Sequence, residues 1–217
     1  AKPPPPEMRE ALKLLDKYTF VRGSDELLYA VRGNQTFSLA ADGQRFRRWL
    51  AEQVSKKLKK EGRAPSTNAL KDVVELAIGR ADLGDSWQVC RRIAPFEDGL
   101  YLNLGPDQPT VKVTAAGWEI LKGVPTGFLF RGDQRDRSLD APHRGGTLTP
   151  LFKKLGKCFP GLSEESRILL VAWLVGCLLP DPEHPILALY GTQGSGKTTL
   201  ARFLRSLVDP AGEHGYD

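Results

Sequence analysis

The octapeptide Gly191-Thr192-Gln193-Gly194-Ser195-Gly196-Lys197-Thr198 constrains this chain more than any other feature. It comes after the apolar run Ile186-Leu187-Ala188-Leu189-Tyr190 and leads through Thr199 into an amphipathic stretch. A short apolar strand, a G-x-x-x-x-G-K-T turn and the start of a helix, in that order, are what a phosphate-binding P-loop requires. Glycines let the backbone curl until successive N–H groups point inward at phosphate oxygens. The helix that opens at the end of the loop adds its positive dipole end. Lys197 reaches the β- and γ-phosphates as a catalytic point charge, and the Thr198 hydroxyl is placed to hold Mg²⁺. The residues Gly191, Thr192, Gln193, Gly194, Ser195, Gly196, Lys197, Thr198 and Thr199 are therefore the nucleotide-binding candidates. ATP with Mg²⁺ is the expected ligand.

Most of the chain precedes this motif. Beyond Thr199 there is room for one helix and a loop, whereas a P-loop domain needs further parallel strands and an acidic, Mg²⁺-orienting residue at the end of one of them. The opening Ala1-Lys2-Pro3-Pro4-Pro5-Pro6 reads as a polyproline linker. The expectation is a segment of a longer protein, carrying half of a nucleotide site.

Composition excludes several classes. With 217 residues, 41% of them hydrophobic and 26% charged, the chain has the makeup of an ordinary globular protein. The apolar run Ile168 to Leu179, bounded by Arg167 and Pro180, falls well short of the roughly 20 residues that cross a bilayer, and no membrane partner is expected. The cysteines Cys90, Cys158 and Cys177 are far apart and form no C-x-x-C pair, so neither a zinc site nor a disulfide framework is indicated. A reducing cytoplasm suits such a chain. His143, His184 and His214 show no ligand spacing. The net charge of +5 favours an acidic partner such as nucleic acid.

Hydrophobic periodicity divides the chain. Glu7 to Tyr18 reads as a short amphipathic helix, and Leu27–Val31 and Thr36–Leu39 as strands about a Gly33-Asn34 turn. Gln44 to Lys60 and Ser66 to Arg80 read as two helices that resemble a helix-turn-helix corner. From Trp87 the pattern becomes β-like: Trp87–Ala94, Gly99–Leu104, Thr110–Thr114 and Trp118–Lys122 form an antiparallel meander, with Phe128–Phe130 as a further strand. Gly132 to Gly146, rich in Arg, Asp and Gly, has no periodicity. Two helices, Leu148–Gly156 and Ser163–Leu179, lead to the P-loop. The expected fold class is thus α+β at the N-terminal side, joined to the start of an α/β P-loop NTPase domain. The expected divisions are a helical, winged-helix-like region over 1–86, a small β-rich region over 87–131, a flexible linker over 132–147, and an incomplete P-loop domain over 148–217.

Three blocks in this order carry a family resemblance. They are Asp98-Gly99-Leu100-Tyr101-Leu102-Asn103-Leu104-Gly105, then Gly117-Trp118-Glu119-Ile120, then Leu170-Val171-Ala172-Trp173-Leu174 running through Pro185–Gly191 into the P-loop. The stretch from Trp87 to Pro210 resembles the superfamily 3-like, primase-associated helicases of phages and mobile elements, the group related to pox-virus primase-helicases. That resemblance implies an ATP-driven DNA helicase acting in replication as a homo-oligomeric ring. It also implies ATP bound between neighbouring subunits, with a second acidic motif and an arginine finger later in the chain.

A second candidate site is electrostatic. Arg45, Arg47, Arg48, Lys56, Lys57, Lys59, Lys60 and Arg63 stand against only Glu52 and Glu61. On a helix this is a positive stripe able to neutralise several DNA phosphates, or a plain solvated face. Trp118 and Trp173 read as core rather than base-stacking platforms. Arg131, Arg135, Arg137 and Arg144 are offset by Asp133, Asp136 and Asp140 and read as a neutral loop. Two functions remain open at this point. One is the ATP-binding portion of a primase-linked DNA helicase; the other is a non-catalytic nucleotide switch or DNA-binding regulator.

Overall fold

The computed structural model describes residues 3–40, 43–58, 65–97, 99–105, 108–132, 136–180 and 186–210. In chain order its elements are α1 (Pro6–Leu15), β1 (Thr19–Gly23), β2 (Leu28–Arg32), β3 (Gln35–Ser38), α2 (Gln44–Leu58), α3 (Thr67–Asp82), β4 (Ser86–Cys90), β5 (Ile93–Phe96), β6 (Gly99–Asn103), β7 (Thr110–Thr114), β8 (Gly117–Leu121), β9 (Phe128–Phe130), α4 (Thr149–Cys158), α5 (Glu164–Gly176) and α6 (Lys197–Val208). The protein is mixed α+β. It divides into two compact units, Ala1–Arg91 with Ile120–Gly132, and Arg92–Glu119 with Asp133–Asp217.

The first unit is built on a five-stranded sheet in the order β3-β2-β1-β4-β9. The β2–β3 hairpin closes on Gly33-Asn34 as expected, because Arg32 pairs with Gln35 and Gly33 adopts φ 56°. The centre of the sheet, however, is β1, a strand that the periodicity left unassigned. Its run Thr19-Phe20-Val21-Arg22-Gly23 is short and interrupted by Arg22. It becomes a strand through two neighbours, antiparallel β2 and parallel β4. Phe20 and Val21 then point to opposite faces. Phe20 joins a core with Ala11, Leu15, Phe37, Phe46, Leu50, Val54, Val73 and Ala77, which places α1, α2 and α3 on one face of the sheet. Val21 joins Tyr29, Val31, Trp87 and Leu129 on the other face.

Two expectations for the β-rich stretch are corrected. Trp87–Ala94 is not one strand: it breaks at Arg91-Arg92, so that β4 joins the five-stranded sheet while β5 begins a separate one. Phe128–Phe130 does not extend the meander, because β9 pairs in parallel with β4 at Gln88, Val89 and Cys90. The meander itself is present, as a four-stranded sheet in the order β5-β6-β7-β8. The region over 1–86, expected to be helical, also holds three strands of the five-stranded sheet, β1, β2 and β3, and β4 begins at its last residue, Ser86. The helix-turn-helix joint between α2 and α3 falls on residues 59–64, outside the described residues.

In the second unit, α4, α5 and α6 pack around Leu155, Leu170, Leu174, Leu200 and Leu204. Helix α5 is capped by Ser163, whose side chain accepts from the Ser166 backbone N–H. The stretch expected to be a flexible linker has no helix or regular strand in its described part, yet it is tied down. Leu139 N–H donates to the Leu104 carbonyl at 2.6 Å and Arg137 N–H to that of Pro210 at 3.0 Å. Beneath it runs Gly105, where any side chain would meet Ser138 Cα at 2.7 Å. Arg92, itself buried, organises the crossing. Its guanidinium donates to Asp209 Oδ1 at 2.9 Å and to the carbonyls of Arg137 and Pro210 at 2.9 and 3.3 Å.

Candidate nucleotide site

The P-loop comes after an extended segment and ends at α6, but the segment Ile186–Tyr190 is not a strand, contrary to expectation. It pairs with no other strand among the described residues. One face is used: Leu187 and Leu189 pack against the α4–α6 cluster. The other is bare, with Ile186 95% and Tyr190 92% exposed. Apolar character supplies the burial, whereas a strand needs a second backbone to take its N–H and C=O groups.

The loop itself has the backbone that its glycines permit. Gly194 and Gly196 both adopt φ 81°, the left-handed region, and Gly196 is the residue from which α6 starts. Gly191 adopts φ 154°, a backbone conformation that side-chain-bearing residues rarely take. The loop closes around the Lys197 ammonium. Its Nζ donates to the Gly191 and Thr192 carbonyls at 2.8 and 2.7 Å and to Ser195 Oγ at 3.2 Å, using all three donors of the group. A bound phosphate would have to compete with these carbonyls for the same cation.

The loop forms one wall of an open cavity of about 660 Å³, lined by Gly191, Thr192, Gly194, Ser195, Gly196, Lys197, Thr199 and Leu200. That volume falls within the ~300–1,000 Å³ common for small-molecule sites. Of the expected nucleotide residues, Gln193 and Thr198 do not line it; both are exposed. The opposite wall went unnoticed in the sequence. It is the turn between α4 and α5, Cys158-Phe159-Pro160-Gly161-Leu162, together with Leu189 and Tyr190. Nothing in its composition marks it as a site; only the packing of α4 against α6 brings it there. The flanking helices reinforce the charge of Lys197: α4 carries Lys153, Lys154 and Lys157, α6 carries Arg202 and Arg205, and neither contains an acid.

The fit of these residues to Mg-ATP rests on the cradle and on Thr198. Two left-handed glycines, a helix N-terminus and an encircled ammonium form a concave set of positive groups. The exposed Thr198 hydroxyl suits Mg²⁺, which keeps several waters and binds few protein oxygens beside the phosphates. Among the described residues no cluster of three His, Cys, Asp or Glu could hold a metal independently.

The positive stripe is partly dismantled by the fold. Lys56 pairs with Glu52 at 2.6 Å and Lys57 with Glu10 at 3.2 Å. Lys13 and Lys57 together hold the Glu10 carboxyl below its usual range. Arg45 and Arg48 are exposed, Arg47 is half-buried, and none of the three has an ion-pair partner among the described residues. Lys59, Lys60 and Arg63 lie outside the described residues. Arg131 pairs with Asp25 at 3.2 Å. Trp118 is not core as expected: it is half-buried, and Arg144 lies over its ring at 4.9 Å. Trp173 packs against the α4–α6 cluster. Cys90, Cys158 and Cys177 are all free thiols. No helix among the described residues is long and apolar enough to cross a membrane.

A scan against protein-family models finds no match to this chain, and a search of curated proteins finds none either.

Proposed function

We propose that this chain binds a nucleoside triphosphate, ATP with Mg²⁺, as the ATP-binding portion of a primase-linked DNA helicase. The observation that supports the reading best is the Gly191–Thr198 loop: Gly191, Gly194 and Gly196 all adopt positive φ, and its lysine sits at the focus. On this reading Lys197 exchanges its carbonyl partners for β- and γ-phosphate oxygens, a stronger, charge-assisted pairing. The Thr198 hydroxyl would help to hold Mg²⁺. The basic helices α4 and α6 raise the local concentration of a polyanion. The helicase part of the reading, with a homo-oligomeric ring acting on DNA, rests on the family resemblance. In it Arg45 and Arg48, with Arg47 beside them, are the cations of the stripe that remain without an ion-pair partner among the described residues to meet DNA phosphates.

Isothermal titration with Mg-ATP tests the nucleotide reading. Lys197→Ala weakens binding by about tenfold or more, since among the described residues lining the cavity Lys197 is the one cation. Thr198→Ala weakens binding in Mg²⁺ but not in EDTA. Equal affinity of wild type and Lys197→Ala would discard the assignment.

A further inference from the structure

The second wall of the cavity has a chemistry that the P-loop does not explain. Its residues Cys158, Phe159, Pro160, Gly161, Leu162 and Leu189 include no charged or amide side chain. Phosphates gain nothing from such a surface, whereas a flat heteroaromatic base gains burial and stacking. The turn is also held in place at both ends. Phe159 N–H closes α4 on the Leu155 carbonyl at 2.9 Å, and Leu162 N–H returns to the Phe159 carbonyl at 3.0 Å, one residue before the Ser163 cap of α5. The Phe159 ring reaches the P-loop directly: a Cβ on Gly196 would lie 3.6 Å from it, and its centroid is 6.5 Å from that of Phe203 on α6. The wall and the phosphate cradle are therefore parts of one packed arrangement, in which the cavity runs from a cationic end to an apolar end.

We propose that the turn Cys158–Leu162, with Leu189, is the nucleobase subsite of this cavity. The occupant is the base of the same nucleoside triphosphate whose phosphates the Lys197 loop holds, so the inference rests on the P-loop reading and adds the residues that distinguish a nucleotide from a bare polyphosphate. Recognition there is by apolar contact along the faces of the base. A hydrophobic wall discriminates poorly between ligands that differ in polar edge groups, and ATP and GTP are accepted with similar affinity.

Cys158 supplies the reporter. It is the exposed thiol of the three, whereas Cys90 is buried and Cys177 half-buried, and burial pushes both of those thiols up. Alkylation proceeds through the thiolate and needs access, so N-ethylmaleimide reacts first at Cys158. The experiment measures the rate of modification of each cysteine by peptide mass spectrometry, using the whole chain with Mg²⁺ and saturating ATP, GTP or inorganic tripolyphosphate. Binding of each ligand is measured separately by titration. The expected result is a fivefold or greater slowing at Cys158 with ATP and with GTP, a clearly smaller effect with tripolyphosphate, and no change at Cys177. Bound ATP that leaves the Cys158 rate unchanged would overturn the base subsite while sparing the P-loop. Equal protection by tripolyphosphate would overturn it too, by assigning the effect to the loop. Absence of ATP binding, or binding indifferent to Lys197→Ala, would instead bring down the P-loop reading on which the subsite stands.

Discussion

Phe128-Leu129-Phe130 and Ile186-Leu187-Ala188-Leu189-Tyr190 are both short apolar runs, yet the fold treats them in opposite ways. The first is β9, buried at all three residues and paired in parallel with β4. The second is extended, pairs with nothing among the described residues, and buries alternate side chains only. Leu187 and Leu189 have an apolar layer to meet, the α4–α6 cluster, while Ile186 and Tyr190 face outward. The difference lies in the neighbours rather than in the runs. A strand is completed by a backbone on its edge and side chains over both faces; hydrophobicity on its own gives a segment with one covered side.

Substitutions on either side of that contrast have different expected costs. The largest effect is expected at Phe128, which is fully buried and packs edge-on against Phe130 at 5.4 Å. Phe128→Ala should lower stability by about 3–5 kcal/mol, read from guanidinium unfolding monitored by circular dichroism. A loss below about 1 kcal/mol would mean that β9 is not the closed strand described here.

Next in size is Arg92→Ala. Polar bonds of Arg92 tie the end of α6 to the start of the meander, and this substitution removes the guanidinium from Asp209 and from the carbonyls of Asn103, Arg137 and Pro210. The side chain of Arg92 is 9% exposed and that of Asp209 33%. With Asp209 partly able to recover water, a cost of about 2–3 kcal/mol is expected. Arg92→Lys should recover little of it, since one ammonium cannot span the same acceptors. Full stability in Arg92→Ala would show that the strap over Gly105 is held by other means.

A smaller, pH-dependent loss belongs to the first unit. Burial pushes the Tyr18 phenol up to about 12 from an ordinary 10. The folded state therefore keeps a proton that the unfolded state gives up, and stability contributed by the neutral phenol is complete below pH 10. It is lost as the pH rises from 10 through about 12. Unfolding midpoints at pH 9, 10 and 11, beside an ultraviolet titration of the phenolate, should show this fall. Tyr18→Phe should lessen it, leaving the part that belongs to Tyr29, whose phenol burial and the neighbouring Asp25 carboxylate also push up.

The smallest effect is expected on the bare face of the segment ahead of the P-loop. Tyr190→Ser and Ile186→Ser should each change stability by less than about 0.5 kcal/mol, the range for exposed positions without special geometry. A loss comparable to that of Phe128→Ala would mean that this outer face is covered in solution.

Local chemistry determined much of this protein from the sequence alone. The Gly33-Asn34 hairpin, the apolar faces of α2 and α3, the β5–β8 meander and the glycine loop ahead of α6 all arise from rules that act over a few residues: left-handed backbone at Gly33, Gly194 and Gly196, and side-chain repeats of two or 3.6 residues. The loop was legible because only glycine backbone and one lysine can make it. Tertiary structure alone decided the rest. β1 is a central strand because β2 and β4 flank it, and β4 and β5 part at Arg91-Arg92 because each pairs in a different sheet. β9 crosses back to β4, a pairing that depends on contacts far apart in sequence. The second wall of the cavity belongs with these. Cys158 to Leu162 carry no motif, and they line a site only because Leu155, Leu170, Leu200 and Leu204 close three helices onto one another. Burial, being non-directional, leaves no short-range signature from which such a neighbour could be read.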